Sequence, residues 1–174
     1  KINFNASPSL EAQIASISDD IAYNSHDLED GLNAKLFILK DISNIPILKN
    51  IIKKHKNKIL KYSQELVLKQ IIREIINEMV KDVILNTKKN LKKYNIKNIS
   101  DVYESKYPLV SFSNRMRLFD KSVKKFLKKN MYYHKNVIHK TNLGKKILKK
   151  LFFKIKKNPK KFVKKYNFEK INND

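Results

Sequence analysis

The sequence predicts an all-α protein. Apolar residues recur at three- and four-residue spacing along nearly the whole chain, only two glycines interrupt 174 residues, and no segment reads as a strand pair or an internal repeat. Ser7 and Pro8 are the expected cap and first turn of a helix running to Asp27 or beyond, with Glu11 favourable at its positive end and Gly31 allowing it to end or bend. Leu10, Ile14, Ile17, Ile21 and Leu28 form its expected core stripe. Residues 32–42 read as a second helical stretch, closed by Ser43, Asn44 and Pro46. Residues 47–94 carry a strong helical period, broken near 55–58, with Leu66, Ile71, Ile75, Met79, Val83 and Ile84 as its core side. Residues 95–108 read as a connector holding a short helix capped by Ser100. Ser113 is the expected cap of a helix to about Tyr133. A final pair is expected at 137–157, with Gly144 its weak point, and 159–166.

The length suits one domain with a real core. Absence of cysteine excludes disulfides and thiol chemistry and favours a reducing cytoplasm. No apolar run is long enough to span a membrane, and no signal core opens the chain. The net charge of +23 admits two readings. Only three of the 39 basic residues are arginine, Arg73, Arg115 and Arg117, whereas phosphate and base recognition favours the bidentate guanidinium. A lysine-, asparagine- and isoleucine-rich chain fits the codon bias of an AT-rich genome. A non-catalytic, basic nucleic-acid-binding or interaction module is the alternative. The lysine runs after Lys121 alternate with Val123, Phe126, Leu127, Ile147, Leu148, Leu151, Phe152 and Ile155, as on solvated surface helices. A membrane-surface helix is the sharper reading of the same pattern.

Phosphate-loop, GxSxG and HExxH patterns are absent. His134 and His139, flanked by lysines, read as surface or interhelix groups. The dense cluster of reactive groups is residues 9–31, SLEAQIASISDDIAYNSHDLEDG. Asp19, Tyr23 and Asp27 stand at i, i+4 and i+8 and share one helix face. Asp19 and Asp27 lie about 12 Å apart along that helix, too far to bind one ion together. One of them is able to donate a single ligand to a metal completed from elsewhere. An acidic, solvated face is the plainer reading, and spacing alone does not choose.

The string LEAQIASISDDIAYNSHDLEDGL resembles the EAQ-A-AD-(D/E)-IAYN-x-HD-x-(D/E)-DGL signature of the dGTPase-like deoxynucleoside triphosphate triphosphohydrolases of the HD-domain superfamily. ELVLKQIIREIINEMVKDVILNT resembles the family's next long helix, and PLVSFSNRMRLFDKSVKKFLKKNMYYHKNVIHK its following region. The resemblance implies a multi-helix bundle representing the C-terminal part of an HD-type domain. Residues 1–97 would belong to the helical core, with the metal and sugar helix at 8–30, and 98–174 to a C-terminal helical subdomain. It implies hydrolysis of a dNTP to deoxynucleoside and inorganic triphosphate, with a divalent metal (Mg, Mn or a similar transition ion), in a homo-oligomer with single-stranded DNA as a potential effector. Asp19 would be the closing metal aspartate, Tyr23 would pack on the deoxyribose, and Asp27 would accept its 3′-hydroxyl. Asp20 and His26 belong to the motif without a firm role, His26 reading as a helix-to-helix hydrogen bonder. The family's H…HD ligands have no counterpart here, since the one His-Asp pair is His26-Asp27, so the chain alone is expected to be inactive. The family's DGLR.G continuation reads Asp30-Gly31-Leu32-Asn33-Ala34-Lys35, which loses the arginine, and Lys35 is the nearest replacement charge.

Overall fold

The computed structural model describes residues 6–59 and 62–166, and every regular element among them is helical. In order they are α1 (Leu10–Asn33), α2 (Leu39–Ile42), α3 (Pro46–Ile59), α4 (Gln64–Lys93), α5 (Ile99–Glu104), α6 (Asn114–Leu127), a π-helical turn (Lys128–Tyr132), α7 (Lys135–Lys157) and α8 (Pro159–Tyr166). The all-α expectation holds. These helices form two compact units that part at Met131 and Tyr132.

In the first unit α1 packs on α4 and α6, and α3 packs on α4. Ile21 and Leu28 of α1, Leu48 and Ile51 of α3, Ile71, Ile75 and Met79 of α4, and Phe119, Val123 and Leu127 of α6 are buried. Each such side chain contributes on the order of 1.5–3 kcal/mol through its removal from water. Three expected core residues lie outside. Leu66 and Ile84 are 57% and 49% exposed. They stand five full turns apart and so share one line of α4, opposite the arc from Ile71 to Val83 that faces α1 and α3. Ile14 is 49% exposed because the cover over its stripe on α1 begins further along, with Ile21.

Helix ends follow side-chain chemistry more closely than spacing suggests. Ser9, not Ser7, caps α1, its Oγ accepting from the Ala12 N–H at 3.3 Å. Asn98, not Ser100, caps α5, and Asp101 returns a bond to the Asn98 N–H at 3.1 Å. Ser113 caps α6 as expected. The break expected at 55–58 falls slightly later, since α3 stays helical to Ile59 and α4 begins at Gln64. Helix α1 runs straight through Gly31. That glycine serves close packing, because a Cβ there would collide with the Phe37 ring, which meets Phe126 edge to face at 4.9 Å.

The second unit is built on α7 and α8. Helix α7 contains nine lysines and no acid. Its Ile147, Leu148, Leu151, Phe152 and Ile155 are all 38–67% exposed. No helix among the described residues is long and apolar enough to cross a membrane.

Candidate functional site

The segment expected to carry the metal and sugar contacts is α1 itself. One uninterrupted helix carries Asp19, Tyr23 and Asp27 on successive turns, spaced by about 6 Å along the axis. Asp19 is exposed, Tyr23 is 55% exposed and Asp27 is half-buried, so the face opens to the surface. His26 is also exposed. His134 caps α7, its Nδ1 accepting from the Asn136 N–H at 3.4 Å.

Residues beside that face hold α1 in place. Asn24, 2% exposed, donates from Nδ2 to Oδ1 of Asp120 on α6 at 2.6 Å. Lys124, one turn further along α6, reaches Oδ2 of Asp120 at 3.2 Å and Oδ1 of Asp20 at 3.1 Å. Burial opposes the Lys124 charge, but its bonds to Asp20 and Asp120 outweigh that and hold its pKa above the usual lysine range. Asp20 thus gains a concrete partner. Gln13 clamps the segment that leads into α6. Its Oε1 accepts from the Leu109 and Val110 N–H groups at 2.9 and 3.0 Å, while its Nε2 donates to the Pro8 carbonyl at 2.8 Å. From α4, Asn86 and Asn90 donate to the Ser111 and Leu109 carbonyls at 2.8 and 2.9 Å, and Asp82 accepts from the Ser113 N–H at 2.8 Å.

These groups were missed in the sequence for a common reason. Gln13 and Asn24 sit within the motif, but their partners are 96 residues away, and no local period encodes such pairs. A motif position that is polar yet lies beside the apolar stripe was the available signal.

Beside the N-terminal half of α1 lies an open cleft of about 1000 Å³. Ser16 and Asp20 form its α1 wall, and Lys93, Lys106 and Arg117 supply cations around it. Among the described residues, no three His, Asp or Glu side chains converge on a point where they could hold a metal. Asp19 offers one carboxylate, which does not make a metal site.

Residues 110–173 match the family described as a phosphohydrolase-associated domain. The chain is 50% identical over all its 174 residues to a deoxyguanosinetriphosphate triphosphohydrolase-like protein of Pelagibacter ubique. Proteins of the same name from Bartonella tribocorum and Brucella anthropi are 35% and 36% identical over 86% and 83% of the chain. The chain belongs to this dGTPase-like family of phosphohydrolases. It spans 46%, 38% and 36% of the lengths of these three relatives, as a portion of a longer protein would. The α1 face and the clamp from α4 and α6 therefore lie in the stretch shared with the dGTPase-like relatives.

Proposed function

We propose that the protein carrying this chain hydrolyses deoxynucleoside triphosphates, of the dGTP type, to deoxynucleoside and inorganic triphosphate. The observation that carries the reading is the order Asp19, Tyr23, Asp27 on one face of α1 that opens to the surface. In this reading the half-exposed Tyr23 ring packs on the deoxyribose, where it disfavours a 2′-hydroxyl, and Asp27 accepts a hydrogen bond from the 3′-hydroxyl. Asp19 contributes one oxygen ligand to a divalent ion such as Mg or Mn, which prefers such donors. The remaining ligands would have to come from outside this chain, so the 174 residues alone are inactive. The ion supplies Lewis acidity toward the phosphate when bound. The residues present do the positioning. By the same likeness we expect a cytoplasmic homo-oligomer with single-stranded DNA as a potential effector. The basic-module alternative has only the net charge behind it.

The test is sugar selectivity in the complete protein. Tyr23→Ala should lower kcat/KM for dGTP by about 10–200-fold and narrow the preference over GTP, as loss of one packed group does. Asp27→Asn should weaken dGTP turnover while leaving 2′,3′-dideoxy-GTP turnover nearly unchanged. An unaltered dGTP/GTP ratio in Tyr23→Ala contradicts the sugar assignment.

A further inference from the structure

The two turns of α1 that present Asp19 and Tyr23 also carry, one residue later on each turn, Asp20 and Asn24. Both of these are tied to α6: Asn24 through the 2.6 Å bond to Asp120, and Asp20 through Lys124 at 3.1 Å. One residue is about 100° of helix rotation, so the tied side flanks the presented side. We infer that Asn24 and Asp120 are positioning residues, whose buried hydrogen bond sets the rotation of α1 and hence the direction in which Asp19, Tyr23 and Asp27 face. The inference rests on the role proposed for that face.

The surroundings of the bond explain why it has this authority. Leu28, Ile75, Met79, Phe119 and Val123 line a small cavity with Asn24 and Asp120, and Asp120 also borders the open cleft. Apolar contacts among such side chains are non-directional and tolerate small rotations of a helix. A hydrogen bond does not, because it weakens steeply as donor and acceptor leave alignment. This one is charge-assisted, since its acceptor is a carboxylate, and the second oxygen of that carboxylate is held by Lys124. The arrangement is not one chosen for stability alone. Oδ1 of Asn24 is buried without a hydrogen-bond partner, and so is Oγ of the adjacent Ser25. An apolar pair would leave no such deficit but would also leave rotation unspecified.

The complete protein, in a cysteine-free background, tests this through Asn24→Leu and the swap Asn24→Asp with Asp120→Asn, which preserves the bond with its polarity reversed. Spin labels on cysteines at the exposed positions Ser18 of α1 and Lys121 of α6 report the geometry whether or not the protein is active. Asn24→Leu should broaden the label distance distribution and lower kcat about a hundredfold, the scale of an ångström-level misplacement, with a smaller change in KM. The swap should restore both. A distribution unchanged in Asn24→Leu overturns the inference, as does a broadened one with wild-type kcat. If Asn24→Leu does not fold, the swap decides: wild-type distances and kcat support the latch, and their loss overturns it. Wild-type protein without dNTP hydrolysis would refute the proposed function, and the distances would still judge the latch.

Discussion

Lys35 holds a backbone φ of 54° where α1 closes. The Lys35 N–H bonds to the Leu32 carbonyl at 3.1 Å and the Leu36 N–H to the Gly31 carbonyl at 3.0 Å, a Schellman ending. In the family's DGLR.G pattern this position is the glycine, and the geometry supplies the reason: a left-handed residue pays a steric cost that glycine avoids. Lys35→Gly should therefore stabilise the first unit by about 1 kcal/mol, less the greater freedom glycine gains on unfolding; urea titration checks it. Asn95 plays the same part after α4 with the same φ, and asparagine suits it. A second residue-scale prediction concerns Glu74. Lys54, and then His55 at 2.6 Å, hold its carboxyl below the usual range against the penalty of burial. A depressed carboxyl stabilises the fold above its unfolded pKa of 4.5 and loses that contribution as pH falls through the folded value. Thermal stability should thus decline below about pH 4.5 in the native protein, and Glu74→Gln should flatten that decline while lowering the plateau near neutrality.

At the scale of elements, periodicity located the helices but not their ends or their fully exposed lines. The sequence points to Ser7 as the cap of α1, whereas the Ala12 N–H bonds to Ser9. Leu66 and Ile84 belong to the apolar alphabet of α4, yet nothing in the sequence says which side of a long helix its neighbours cover. Gln13 shows the same limit, because its role is to satisfy two backbone donors that arrive from residues 109 and 110. Gln13→Ala should cost about 1–3 kcal/mol, the range for stranding partly buried polar groups, and chemical denaturation will read it. Gly144 makes the opposite case. It lies within α7 with no atom in the way of a Cβ. Gly144→Ala should raise helicity by circular dichroism and stabilise α7 by about 1 kcal/mol.

For the whole molecule, the α1 face was readable because its residues follow one helical period and a long motif. The frame that aims it was not, because it joins α1, α4, α6 and the segment before α6 across long sequence separations. The lysine excess fits the same picture. Lys93 and Lys106 line the cleft and Lys124 stands beside it at Asp20, but these too are exposed, as most of the lysines are, with nine on α7 alone. Nonspecific DNA binding through that charge should fall steeply with salt. The dGTPase-like kinship places the α1 face in a phosphohydrolase family, and in the proposed function Asp19 belongs to its catalytic metal site. The most direct measurement is inorganic triphosphate released from dGTP by the complete protein, with divalent metal, for wild type and Asp19→Ala. Asp19 ligation predicts metal-dependent release by wild type and background release by the variant at unchanged fold and secondary structure. Undiminished release by Asp19→Ala would contradict it.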